Sequence, residues 1–169
     1  CPPPDYPVAQ IVSLYERFRA KIFFIVDDLF SQKREDALEF CRKIAEYQER
    51  LRIKFHFTVQ IRLDKAGDRE LLAAMRRANI QVLAIGYESP IPEELKAMNK
   101  CLRPEDMIKN TELYHHAGFL VHGMFIFGYP GLGEPFEMSA RNRSAAYRRF
   151  IRKAGIDTIQ ILLPVPLPG

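Results

Sequence analysis

Four short stretches put side chains capable of chemistry at the ends of apolar runs. Asp27-Asp28 closes the run KIFFIV. Gln60, Arg62 and Asp64 close a run that alternates from Lys54, Glu88-Ser89 closes one from Ile80, and Tyr129-Pro130-Gly131 closes one from Val121. Carboxylates at such ends can accept charge-assisted hydrogen bonds from an ammonium group, and an arginine can grip a carboxylate with both arms of its fork. Inside the run from Val121, Gly123 and Gly128 interrupt the bulky residues, and a glycine in a strand marks close approach by a ligand or by another backbone. Each feature also has a structural use. Asp27-Asp28 and Glu88-Ser89 can cap the helices that follow them, Arg62 and Asp64 can pair on a rim, and Gly123 can serve packing alone.

The elements that would carry these residues alternate along the chain. Lys21–Val26 reads as a buried strand and Lys33–Arg50 as a helix whose apolar stripe includes Ala37, Leu38, Cys41 and Ile44. From Lys54 to Arg62, Phe55, Phe57, Val59 and Ile61 share one face of a strand. His56, Thr58, Gln60 and Arg62 share the other, a polar face expected to line a cavity. Asp68 caps a short helix, Ile80–Tyr87 is a strand, and Pro104 opens a helix that Gly118 ends. The run from Val121 is apolar on both faces, as expected of a parallel strand covered on both sides. A helix stopping at Gly155 and a strand over Thr158–Leu163 complete the series. Helix and strand in steady alternation predict right-handed crossovers and a parallel sheet. The fold class is therefore α/β, and five strands without a GxGxxG turn after the first favour part of a (β/α) barrel over a doubly wound sheet. In such barrels the site lies at the carboxyl ends of the strands, where the four stretches fall.

Composition narrows the partners. In 169 residues, 47% hydrophobic, there is material for one sizeable core, so residues 1–169 are expected to form one domain. Lys plus Arg exceed Asp plus Glu by 25 − 21 = 4. The densest basic cluster, Arg148, Arg149, Arg152 and Lys153, has helical spacing with Phe150 and Ile151 between its members, which reads as a solvated helix face and not a nucleic-acid surface. No apolar run reaches the roughly 18 residues of a membrane helix. Cys1, Cys41 and Cys101 have neither metal-ligand spacing nor an even count, which predicts a reduced, cytoplasmic setting. His115, His116 and His122 read as helix surface and barrel lining.

The segments FFIVDDLF, VQIRLD, IGYESPIPEELKAMNK, AGFLVHGMFIFGYPG and AGIDTIQILLPVPLPG, in that order, resemble successive strands of radical S-adenosylmethionine (SAM) enzymes. The similarity is to the group often fused to a cobalamin-binding domain, and it covers nearly the whole chain from Pro7. It implies a partial TIM-like barrel holding strands 2 to 6, with the first strand absent. It also implies roles. Asp27 and Asp28 fall where the family contacts the amino group of SAM. Gln60 and Arg62 fall where polar side chains point at the cofactor, and Glu88 and Ser89 where the ribose hydroxyls are held. Gly123, Phe125, Gly128, Tyr129 and Pro130 match the family's GxIxGxxP pattern beside the adenine.

The family's chemistry needs a [4Fe–4S] cluster on a CxxxCxxC loop, and this sequence contains no such triplet. The expectation is a segment truncated at both ends, taken from an enzyme that cleaves SAM reductively. Alone it should be inactive and should form no cluster, with cobalamin, where used, bound in a separate domain. An unpaired edge on the Lys21–Val26 strand is expected to favour self-association. Two other readings stay open: a cluster-free SAM or nucleotide-binding module, and an unrelated barrel hydrolase or lyase. The second would want a lysine nucleophile, a histidine pair or a metal set at the strand ends, and none is seen.

Overall fold

The computed structural model describes residues 5–26, 30, 32–129 and 138–165. Its sheet has five strands, β1 (Ile22–Ile25), β2 (His56–Gln60), β3 (Ile80–Glu88), β4 (Leu120–Ile126) and β5 (Thr158–Leu162). They lie in sequence order and every neighbouring pair is parallel. The helices are α1 (Asp5–Phe18), α2 (Arg34–Leu51), α3 (Arg69–Arg77), α4 (Pro92–Ala97), α5 (Pro104–His116) and α6 (Ala140–Ala154). A 3-10 turn, Leu63–Gly67, joins the exit of β2 to α3. This is a half-barrel, an open curl of parallel strands with helices on its convex side.

The two-residue period of the strands and the stripes on the helices decide which face closes. Phe57, Val59 and Ile61 of β2 and its exit, Leu83, Ile85 and Tyr87 of β3, and Val121 and Phe125 of β4 are all buried. They meet Phe40 and Ile44 of α2, Leu71 and Met75 of α3, Met107 and Tyr114 of α5, and Phe150 of α6 in one cluster. Burying each large side chain of this kind contributes about 1.5–3 kcal/mol. Cys41 sits in the same layer at 1% exposure, and burial pushes its thiol up to about 12. It is a small core hydrophobe, as its place on the stripe predicts.

The concave face is different. His56, Thr58 and Gln60 of β2, and His122, Met124 and Ile126 of β4, are only half-buried. The expectation that β4 is covered on both sides is therefore corrected: its burial alternates, because among the described residues no second layer covers the inner side of the five curled strands. The outer strands share this exposure. Ile22 and Phe24 of β1 and all five residues of β5 are exposed.

Candidate functional site

At the carboxyl ends of β2 and β3 a cleft of about 600 Å³ opens between Gln60, Arg62, Asp64, Gly86, Glu88, Lys100 and Cys101. Gln60 ends β2 on the concave side, and its backbone carbonyl accepts a hydrogen bond from Phe30 N at 2.9 Å. Arg62 lies two residues further and pairs bidentately with Asp64, Nε to Oδ1 at 3.1 Å and Nη2 to Oδ2 at 2.9 Å. Both side chains are more than half exposed. The backbone beneath them is fixed, because the buried Tyr114 hydroxyl of α5 donates to the Arg62 carbonyl at 2.6 Å.

Glu88 ends β3 in an unusual way. The register with β4 slips between Gly86 and Glu88, and Glu88 takes the left-handed backbone conformation, φ 62°. A non-glycine residue there is strained, and bulges of this kind re-aim a side chain. The re-aimed carboxylate folds back along the concave face. A Cβ added to Gly86 would stand 2.9 Å from Glu88 Oε1, so the absence of a side chain at Gly86 makes room for the carboxylate. Lys100, from the loop after α4, reaches Glu88 Oε1 with Nζ at 3.2 Å. Between Gly86 and Glu88, Tyr87 points the other way, stacked on Phe125 at 5.4 Å between ring centroids, and its hydroxyl lies 2.5 Å from Thr111 Oγ1.

Behind this exit lies an ionic node built on a fully buried carboxylate. Glu94 of α4 is 0% exposed, accepts from Arg143 Nε at 2.6 Å and Ser89 Oγ at 2.5 Å, and at 3.1 Å shares the single Tyr147 hydroxyl proton with a nearer acceptor. The Tyr147 hydroxyl also lies 2.6 Å from the carbonyl of Ile126, the last residue of β4. Ser89 Oγ in turn accepts from Ile91 N at 3.0 Å, so Ser89 closes the turn into α4. Arg143 is 14% exposed, and its guanidinium sits over the Phe127 ring at 5.8 Å. Burial, in the main, holds the Tyr147 phenol well above its usual range.

The residues singled out from the sequence thus separate into groups. Gln60, Arg62 and Glu88 share the cleft. Ser89 is buried behind it, with its hydroxyl engaged by Glu94 and Ile91. Gly123 and Phe125 lie on the helix-covered face of β4, and period two makes this unavoidable once Val121 faces the core. A Cβ at Gly123 would come within 2.9 Å of the Phe125 ring and 3.0 Å of Ile156, which assigns this glycine to packing. Gly128, at φ +85°, and Tyr129 are half-buried just beyond β4. Asp27, Asp28 and Pro130 lie outside the described residues. His115 pairs with Asp157 across 3.1 Å, and His122 lies on the concave face with Nδ1 2.8 Å from Thr158 Oγ1.

Sequence reasoning missed Gly86, Lys100 and the Glu94–Arg143–Tyr147 node. Gly86 was within reach, since period two puts it on the same face as Glu88. The node was not: its partners stand 49 and 53 residues apart, beyond any local pattern.

Among the described residues no group of three His, Cys, Asp or Glu side chains could hold a metal ion. Cys41 is buried with its thiol protonated and Cys101 stands exposed and alone. These two do not fit the thiolate set of an iron–sulfur cluster. No helix among the described residues is long and apolar enough to cross a membrane.

No protein-family model matches this sequence. A hopanoid C-2 methylase from Rhodopseudomonas palustris is 34% identical over 96 residues, covering 54% of this chain and 18% of that protein. An uncharacterized methyltransferase from Synechocystis sp. is 25% identical over 129 residues, covering 76% of this chain and 24% of that protein. The chain therefore spans at most a quarter of the length of these relatives. Among solved structures, the radical SAM methyltransferase TsrM from Kitasatospora setae, with cobalamin and a [4Fe–4S] cluster bound, superposes with a TM-score of 0.73 at 17% identity, over 95% of this chain and 30% of that one. Elp3 from the archaeon Methanocaldococcus infernus gives 0.69 at 16% identity, over 96% of this chain and 42% of that one. The cobalamin-dependent SAM radical enzyme OxsB gives 0.63 at 17% identity, over 86% of this chain and 21% of that one. The fold is the partial TIM-like barrel of the radical SAM enzymes, the one that the five sequence segments resemble.

Proposed function

We propose that this chain is the cofactor-cradling wall of a radical SAM enzyme of the methylating kind. The reading rests chiefly on Glu88: a strained residue at a bulge, with its carboxylate laid along a glycine and facing an open cleft. A fold does not keep a left-handed glutamate without surrounding structure that enforces it, and such strain gathers at functional sites. The two curated relatives are a methylase and a methyltransferase, which favours methyl transfer as the reaction class.

In this reading Glu88 accepts hydrogen bonds from the two ribose hydroxyls of SAM, with Lys100 moving off or bridging. Gln60 and Arg62 serve the methionine end, Arg62 exchanging Asp64 for the ligand's carboxylate. Asp27 and Asp28 take the ammonium group, and Gly128, Tyr129 and Pro130 border the adenine. Gly123, Phe125 and Ser89 then support the site from behind without touching the ligand. Bound here, SAM supplies the group that reacts. The protein's part is to orient it, to hold its charged ends, and to keep the ribose against the sheet. No step through an iron–sulfur cluster is derived from this chain, whose described cysteines do not fit one.

Substituting Glu88→Gln keeps the size and one acceptor and removes the charge. A hydrogen bond to a charged group contributes on the order of 1.5–3 kcal/mol, so SAM affinity should fall by roughly one to two decades. Calorimetric titration of SAM into the protein, with a thermal melt of the ligand-free variant, reads both effects. Unchanged affinity with a lowered melting temperature would overturn the assignment.

A further inference from the structure

We infer that Glu94 is the positioning residue of the rim, a buried carboxylate that sets the exits of β3 and β4 together and so holds Glu88 at its angle. The inference rests on the reading of Glu88 given above and adds a residue that the local sequence pattern does not point to.

The geometry carries it. The Glu94 carboxylate directs its hydrogen bonds to groups at the two strand exits. Through Ser89 Oγ it holds the residue directly after Glu88, and Ser89 is pinned from its other side by Ile91 N at 3.0 Å. Through Tyr147 OH it reaches the Ile126 carbonyl, where β4 ends and the turn to Gly128 begins. Through Arg143 it reaches the guanidinium that lies over Phe127 and that approaches Gly128, where an added Cβ would be 3.9 Å from Nη1. α4 and α6 carry these groups, and neither belongs to the cleft. A carboxylate held by one guanidinium and two hydroxyls in a dry site is satisfied in one arrangement only. Two apolar side chains would pack as well, but would leave Ser89 and the Ile126 carbonyl free to choose other partners. The strain at Glu88 needs such an over-determined neighbour, because a residue in a sparsely populated backbone region relaxes once its surroundings loosen.

Two measurements test this. The first needs no ligand: hydrogen exchange is followed at Ser89 and Ile91, beside β3, and at Phe127, beside β4, with Thr58 and Leu83 as internal references. In Glu94→Gln the exits should exchange at least tenfold faster together, with the references unchanged. Exchange rising at one exit alone, or everywhere alike, overturns a shared positioning role. The second is a double-mutant cycle on SAM affinity. With Glu88 present, Glu94→Gln should weaken SAM about tenfold; on a Glu88→Gln background the same change should cost less than about twofold. Equal losses on both backgrounds overturn the action through Glu88 while leaving the ribose contact standing. If Glu88→Gln itself has no effect, the ribose contact falls, and the exchange experiment still decides whether Glu94 positions the exits. Where Glu94→Gln does not fold, Tyr147→Phe, which keeps the ring and removes the bridging hydroxyl, takes its place in both measurements.

Discussion

At the exit of β2 the charged residues stand in water: Arg62 and Asp64 are 60% and 55% exposed, and their pair is two residues apart in sequence. At the exit of β3 the charged partner of the turn is a carboxylate at 0% exposure, held by Ser89 of the turn itself and by Arg143 and Tyr147 of α6. The same rim therefore carries, at β2, a pair that can be rearranged cheaply and, behind the exit of β3, a buried pair that cannot. An exposed pair contributes little because water screens it and both side chains must be ordered to form it. A buried pair contributes little to net stability either, yet it is costly to break, since the survivor is left charged in a dry site. That is the difference between a side chain free to change partners for a ligand and a frame that must not move.

The largest expected effect follows directly. Glu94→Ala leaves Arg143 buried without its partner and should cost about 3–5 kcal/mol of unfolding free energy. Arg62→Ala, made on the same rim, should change stability by no more than about 1 kcal/mol. Urea denaturation of the two variants side by side measures this. Comparable losses at both positions would erase the distinction between the two exits.

The exit of β2 has one firm point of its own. Beyond the 3-10 turn, Asp68 caps α3, accepting from Leu71 N at 3.1 Å, and it pairs with Arg34 Nε at 2.7 Å. The Arg34 guanidinium, more than any other group, holds the Asp68 carboxyl below the usual carboxylate range. A depressed value means that the folded state binds its proton later than the unfolded chain does. The contribution is therefore complete above the ordinary aspartate value, about 3.9, and is lost as pH falls from there through the folded value. Asp68→Ala should cost about 1 kcal/mol at pH 7, and the gap between variant and parent should narrow below about pH 4. Denaturation midpoints at pH 7 and pH 3 check it, and a gap independent of pH would remove the ion pair from the account.

The contrast between the exits also explains what the sequence disclosed. Strand order, the parallel sheet and the helix-covered face follow from period two in β2 and the stripe of α2, which are local. The cap at Asp68 was legible because its partner, Leu71, is three residues away. Pairing of Arg62 with Asp64 stood among the readings for the same reason. The covered inner face expected of β4 was not borne out, since an apolar strand lining an open half-barrel looks the same in sequence as one between two layers. Gly123 shows the converse limit: its spacing matches a ligand-facing pattern, and only the neighbouring Ile156 side chain reveals that it faces the helices. Glu94 and Arg143 were illegible because each looks like a solvated helix residue until tertiary packing buries the pair.

The smallest effect is the most telling, because its sign differs from that of the others. Glu88 holds the left-handed backbone at φ 62°, a conformation that costs a side-chain-bearing residue roughly 1–2 kcal/mol and glycine almost nothing. Glu88→Gly removes that strain. It also removes the pair with Lys100, whose side chain is 47% exposed and whose contribution is correspondingly about 0.5 kcal/mol or less. Glycine adds flexibility to the unfolded chain, which takes back part of the gain. The balance is a ligand-free protein no less stable than the parent and more stable by up to about 1 kcal/mol, with SAM binding weakened at least as far as in Glu88→Gln. A folded protein that gains stability when its best-placed carboxylate is deleted holds that residue for something other than folding. If Glu88→Gly instead loses stability and keeps its affinity for SAM, the bulge at the end of β3 is ordinary architecture, and the two exits of the rim differ only in how deeply their charges are buried.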